Sequence, residues 1–78
     1  MTPRAAFIIR YRQLRDEKKL TNAEVCYNAG ISKASLENVL HRNGNYPGLN
    51  LISNVCLGLD ISVREFFNDD VFNELSYK

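Results

Sequence analysis

Apolar side chains recur three and four residues apart along nearly the whole chain, and no stretch alternates steadily between apolar and polar residues. This spacing is typical of amphipathic α-helices, because residues three and four apart share one helix face. It predicts five short helices and no sheet, with the fifth helix running through Phe66 and Phe67. The expected inward residues of the first four helices are Phe7, Tyr11 and Leu14; Val25, Cys26 and Ala29; Leu36, Val39 and Leu40; and Leu49, Ile52, Val55, Cys56 and Leu59.

Hydroxyl residues stand where four of these helices should begin. The predicted N-caps are Thr2, Thr21, Ser32 and Ser62. Pro3 suits the first helical position, so the first helix should run from there to about Lys18. Glu24 and Glu65 follow their caps by three residues, a spacing that predicts two capping boxes. Gly30 separates the second and third helices, because glycine takes a positive φ without steric cost.

The outward face of the third predicted helix is small, polar and charged. Its residues are Lys33, Ala34, Glu37, Asn38 and His41. Such a face suits a helix in the DNA major groove, where lysine donates to guanine, asparagine pairs with adenine and alanine contacts the thymine methyl group. Any amphipathic helix also has a polar outer face, so a merely solvated surface is the alternative interpretation.

The length of the chain limits the number of domains, and its charge bears on whether it can bind nucleic acid. The 78 residues fit one domain, residues 1–78, and the net charge is only +1. The charge is unevenly distributed, however. Residues 1–42 hold eight Lys/Arg against four Asp/Glu, a net +4, whereas residues 43–78 hold two against five, a net −3. A basic end of this kind can face phosphates, although a small chain can also acquire such an asymmetry by chance.

The residues offer little for catalysis or metal binding. Cys26, Cys56 and His41 are far apart in sequence, which argues against a zinc site, and free cysteines pack as small hydrophobes. We find no Cys/His pair, paired carboxylates or phosphate-cradling glycine loop, so we expect neither an enzyme nor a cofactor. With no signal segment or membrane-spanning run in the sequence, we expect a cytoplasmic protein.

Taken in order, these segments resemble the Xre/Cro-type helix-turn-helix family of lambda-like phage repressors. The resemblance covers about residues 7–67. It rests on Leu14-Arg15 at the end of helix 1, LTNAEVC at residues 20–26, AGIS at 29–32, PGL at 47–49 and LDISVREFF at 59–67. It implies an all-α, five-helix, lambda-repressor-like DNA-binding domain. The helix-turn-helix motif would span residues 21–41, and a short C-terminal extension residues 68–78.

The resemblance also implies roles for individual residues. Those expected to face base edges are Lys33, Ala34 and Asn38. Those expected to hold phosphates, partly through amides at helix N-termini, are Thr21, Asn22, Ser32 and Ser35. In the loop that follows, Arg42 and Asn43 could also reach a phosphate.

The chain departs from the family at the end of the third helix. Leu40, His41 and Arg42 stand where the family often has E-N-G, whose acid pairs with the arginine that matches Arg15. Either Arg15 reaches another partner, or the core is repacked around Leu40. Asp60 replaces a glycine expected after helix 4, where aspartate tolerates a left-handed backbone at some cost.

Two functions remain open from the sequence. The first is a sequence-specific transcriptional regulator, most simply a repressor, that reads the major groove with residues 32–41. It would bind a roughly palindromic operator as a homodimer and need no small-molecule ligand. The second is a protein-interaction module on the same fold, antitoxin-like or a regulatory partner, with weak or no DNA binding. The expected dimer contacts are Phe67, Val71, Phe72 and Leu75, unless these aromatic residues close the core of the monomer instead.

Overall fold

The computed structural model describes residues 1–41 and 46–75. Within these ranges the chain forms five α-helices, one 3₁₀ helix and no strand. Their bounds are α1 Pro3–Glu17, α2 Asn22–Ala29, α3 Lys33–Leu40, α4 Leu49–Gly58, α5 Val63–Phe67 and the 3₁₀ helix Asp70–Glu74. The all-helical prediction is confirmed, with α1 and α4 each one residue shorter than expected. No helix in the described ranges has both the length and the apolar character needed to cross a membrane.

Side-chain caps explain where the helices begin. The hydroxyl oxygens of Thr2, Thr21, Ser32 and Ser62 each accept a hydrogen bond from the backbone amide three residues later, at 3.0–3.1 Å. At α2 the bond is reciprocal, since the Glu24 carboxylate accepts from the Thr21 amide at 3.1 Å. These bonds satisfy amides that have no partner inside the helix, so the sequence signals for the starts act locally.

Residues with a left-handed backbone (positive φ) follow the ends of three helices. Gly30 has a φ of 69° at the end of α2, as the turn between α2 and α3 requires. Lys19 and Asp60 take φ values of 56° and 58° just beyond α1 and α4. Asp60 therefore adopts the left-handed backbone expected at this position, at the modest steric cost of its Cβ.

One continuous core joins the α-helices. Its buried members are Ala6, Phe7, Tyr11, Leu14, Val25, Cys26, Leu36, Val39, Val55, Cys56, Leu59 and Phe66. Most of the predicted inward residues are among them.

The prediction that Leu49 faces inward is wrong, because 74% of this residue is exposed. It is the first residue of α4 and extends past the packed part of that helix, whose buried residues begin at Val55.

The most extensive contact between helices lies between α2 and α4. Gly58 is buried against α2, and a Cβ atom at this position would lie 2.4 Å from the carbonyl oxygen of Val25 and 3.0 Å from the Ala29 Cβ. Only glycine permits this approach without a shift of backbone. The contact holds α2 against the core at the middle and end of the helix, and so sets how α2 presents its N-terminus.

The 3₁₀ helix folds back onto α1. The N-terminal amino group of Met1 donates to the Glu74 carbonyl at 3.2 Å. Beside this contact lies an aromatic cluster, which we define as Phe7, Phe66, Phe67 and Phe72, with neighbouring ring centroids 4.8–6.1 Å apart. As far as residue 75, the C-terminal segment thus packs on its own chain.

Arg10 is the most unexpected member of the interior. Its charge alone favours solvent, but it stands three residues from Phe7 and four from Leu14 on the inward face, and only 8% of it is exposed. Its guanidinium donates to the carbonyls of Glu65 and Phe66, both at 2.8 Å, and forms an ion pair with Asp69 at 3.3 Å. It also donates to Gln13 at 3.0 Å. These bonds satisfy carbonyls at the end of α5, so a charged side chain closes this part of the core.

Candidate nucleic-acid interface

The outward face of α3 is free of packing. Lys33, Ala34 and Asn38, the three residues expected to face bases, are all exposed, while Leu36 and Val39 on the other side are 0% and 3% exposed. The helix therefore packs on the core through its apolar side. Its polar side, including Ser35, is exposed.

The N-terminus of α3 is organised by two serines. Ser32 accepts from the Ser35 amide, and the hydroxyl oxygens of Ser32 and Ser35 are 2.7 Å apart. Both side chains are exposed. The structure thus places hydroxyl groups and the amides of the first turn together at a positive helix end, where an anionic oxygen is stabilised.

Asn22, the first residue of α2, is fixed by a pair of hydrogen bonds that the sequence analysis did not predict. Its Oδ1 accepts from the Tyr11 hydroxyl at 2.6 Å and from Arg15 Nη1 at 2.8 Å. These two bonds use the oxygen, so the Nδ2 amino group is directed away from Tyr11 and Arg15. Arg15 thus has two partners, because it also forms an ion pair with Asp16 at 3.0 Å. The sequence analysis raised the possibility of another partner for Arg15 without naming it. Thr21 beside it is exposed.

Tyr11 supports this arrangement because it stays protonated. Its side chain is buried, and burial raises the pKa of Tyr11 to about 12 against the opposing effect of Arg15. The guanidinium carbon of Arg15 lies 5.7 Å from the centre of the Tyr11 ring. A neutral tyrosine remains a hydrogen-bond donor, so the orientation of Asn22 is independent of pH across the physiological range.

A polar cleft of about 230 Å³ joins α1, α2 and α3. Its lining residues are Arg12, Arg15, Asn22, Glu37, Leu40 and His41. The cleft brings two arginines of α1 next to the first residue of α2 and the polar side of α3. We call these cleft residues, together with Thr21, Ser32, Lys33, Ala34, Ser35 and Asn38, the polar surface. From the sequence, Arg12 counted only among the basic residues and Arg15 was left without an assigned partner, because nothing local connects either residue to α3.

The C-terminal end of α3 is tied to α1. Arg4 Nη2 donates to the Val39 carbonyl at 2.6 Å and also to the His41 carbonyl. Carbonyls at a helix C-terminus lack partners within the helix, and a guanidinium there also suits the helix dipole. Arg4 therefore fixes the end of α3 that lies furthest from Lys33.

The remaining predicted site residues fall in two groups. Arg42 and Asn43 lie outside the described residues. Of the four expected dimer contacts, Phe67 is 41% exposed, while Val71, Phe72 and Leu75 are half-buried. The Phe72 ring lies 4.8 Å from that of Phe67 and packs against the core, so it helps to close the monomer. Phe67 keeps enough exposed surface to contact a partner as well.

Neither cysteine belongs to a reactive site. Cys26 and Cys56 are free and buried. Burial raises the pKa of both thiols, to about 11 for Cys56, so their reactive thiolate forms are disfavoured. Among the described residues, no group of three or more His, Cys, Asp or Glu side chains could hold a metal ion.

No family model, curated protein or solved structure matches the chain.

Proposed function

We propose that this protein is a sequence-specific DNA-binding transcriptional regulator, most simply a repressor, with a lambda-repressor-like helix-turn-helix fold. In this proposal residues 32–41 lie in the major groove. Lys33, Ala34 and Asn38 contact base edges, and residues at the starts of α2 and α3 hold the flanking phosphates. Two copies bind a roughly palindromic operator.

The observation that carries the proposal is the composition of the polar surface. The exposed side of α3 is continuous with a cleft that holds Arg12 and Arg15, and Asn22 is oriented there with its donor group away from α1. A base-reading helix needs phosphate contacts beside it to fix its register on the duplex. Donors that suit phosphate oxygens lie on α1, on α2 and at the start of α3 itself, and this supports the proposal.

Electrostatics support the same assignment. The net charge of the chain is small, but the first 42 residues carry a net +4, and this part contains α1, α2 and α3. A protein that neutralises phosphates releases counterions, so its DNA affinity falls steeply as salt rises. The proposal therefore requires strong salt dependence even for DNA of mixed sequence.

The first experiment selects bound duplexes from a randomised pool at near-physiological salt. An enriched palindrome would identify the operator and the spacing of the two recognition helices. A single half-site would support DNA binding by one copy and contradict the homodimer. Failure of the folded protein to enrich any sequence would contradict the proposal as a whole and favour the protein-interaction module.

Substitutions then test the assigned face. Lys33→Ala and Asn38→Ala should each weaken binding to the selected site by about 1–3 kcal/mol, because each removes contacts to a base edge. Arg64→Ala and Asn73→Ala are matched controls, since they remove an exposed cation and an exposed amide away from the polar surface. Equal affinity in all four variants, with the fold intact, would show that α3 does not read bases.

A further inference from the structure

A second cavity, of about 320 Å³, lies between the start of α1, residues 46–47, α4, α5 and the 3₁₀ helix. It shares no residue with the polar cleft. Its walls are mainly aliphatic and aromatic, and include Phe7, Ile52, Phe67, Phe72 and Leu75. Pockets that bind small molecules generally range from about 300 to 1,000 Å³ and have walls of this kind.

We propose that this cavity is a binding site for a small, uncharged aromatic molecule of about two fused rings. The volume of the cavity limits the size of the ligand. An apolar cavity of about 150 Å³ accommodates benzene, so one of roughly twice that volume fits a bicyclic molecule such as indole. The proposal is independent of DNA binding, because none of the cavity residues belongs to the polar surface.

The aromatic cluster explains why a flat ring is the preferred shape. The rings of Phe67 and Phe72 are 4.8 Å apart and tilted by 56°, and Phe66 lies behind both, at 5.3 and 6.1 Å. Tilted and edge-to-face arrangements are favourable for aromatic pairs beyond the area that they bury. A ring bound against Phe7, Phe67 and Phe72 continues this arrangement.

The charge of the lining indicates that the ligand is neutral. Among the described lining residues, Arg4 is the one with a formal charge, and its Nη2 is directed at the carbonyls of Val39 and His41. A carboxylate on the ligand would compete with those carbonyls and would otherwise be buried against apolar walls at a large desolvation cost.

A helix of a partner protein is the other occupant that apolar walls of this kind can accept, through the side chains of its apolar face. Absence of saturable indole binding by the folded protein would favour that occupant. A second copy of this chain could still cover the opening through Phe67, and the experiment distinguishes this outcome.

Indole itself is a suitable probe because the chain contains no tryptophan. Titration of the full chain with indole, followed by indole fluorescence, should show saturable binding of one molecule per chain, with a Kd of about 1 mM or tighter. Leu75→Phe adds volume to the cavity wall and should weaken binding by about tenfold or more. Leu57→Phe makes the same change at a 64% exposed leucine outside the cavity and should leave the Kd unchanged.

A second measurement does not depend on any variant. In the wild-type protein, indole should shift the side-chain NMR signals of Phe7, Ile52 and Phe72 while leaving those of Lys33 and Asn38 in place. Absence of saturable binding by the folded protein would overturn the proposal. So would equal loss in Leu57→Phe and Leu75→Phe, shifts spread over the surface, or a dimer that binds indole only after it dissociates.

Discussion

The polar surface and the aromatic cluster are stabilised by contacts of very different range along the chain. Around the polar surface, each helix start is capped by a bond between residues three apart, as at Thr21 and Ser32. At the aromatic cluster, Arg10 is bonded to Glu65, Phe66 and Asp69, which lie 55 to 59 residues away. The comparison shows that the helix starts at a surface can be set by local signals while the core beside it depends on distant ones.

The two regions should also differ in what mutation changes: DNA affinity at the polar surface, and the free energy of unfolding at the aromatic cluster. The polar-surface residues expected to touch DNA are mostly exposed, so substitution of Lys33 or Asn38 removes little packing. Arg10, by contrast, is 8% exposed and has four hydrogen bonds to the end of α5, the 3₁₀ helix and α1. We expect the two regions to respond to mutation through different measurable quantities.

Arg10→Ala should have the largest effect on stability. It leaves the carbonyls of Glu65 and Phe66 and the Asp69 carboxylate without their donor, so the free energy of unfolding should fall by about 3 kcal/mol. Denaturant unfolding measures the change. Arg12→Ala, an exposed arginine on the same helix, is the matched control and should change stability by about 0.5 kcal/mol or less. Equal effects in the two variants would refute the buried role of Arg10.

Gly58→Ala should have the next largest effect, and it links the core to the polar surface. The new Cβ would lie 2.4 Å from the Val25 carbonyl oxygen, so α2 and α4 must move apart at a cost of about 2 kcal/mol. The displacement should appear as shifted amide signals along α2 in NMR spectra. Gly48→Ala is the control, because its φ is −79° and nothing lies within 4 Å of the added atom. An undisturbed α2 in Gly58→Ala would show that this close contact does not position the helix.

Thr21→Ala should have the smallest effect of the three, because the interaction it removes is local. Loss of the N-cap bond to the Glu24 amide should lower the free energy of unfolding by about 1 kcal/mol. Thermal unfolding would measure it, with Ser53→Ala, an exposed serine within α4, as the control. A loss as large as that in Arg10→Ala would mean that the start of α2 is not stabilised by local contacts alone.

Sequence reasoning was most successful where the determining residues are neighbours. The four N-caps, the positive φ of Gly30 and the left-handed Asp60 all follow from side-chain chemistry within a few positions. The inward stripes of α1, α2 and α3 were also predicted, because a packed helix must bury one face. Exposure of Lys33, Ala34 and Asn38 follows from the same periodicity.

It failed where a side chain's partner lies on a different helix or beyond it. Periodicity gives the position of Arg10 on the helix, but it cannot tell whether the guanidinium reaches solvent or the carbonyls at the end of α5. The same limit hid the bond between Arg15 and Asn22, and the approach of Arg12 to the polar side of α3. Leu49 was assigned to the core because its spacing fits, although α4 begins packing only further along.

The sequence by itself determined five helices, most of their starts and turns, and the polar character of the outward side of α3. Those features depend on interactions within one or two helical turns, which residue order specifies directly. Only the tertiary structure decided that Arg10 closes the core, that Asn22 is oriented by Tyr11 and Arg15, and that an apolar cavity lies against the aromatic cluster. Each of these depends on which helices meet, and that is settled by packing the whole chain rather than by any single segment.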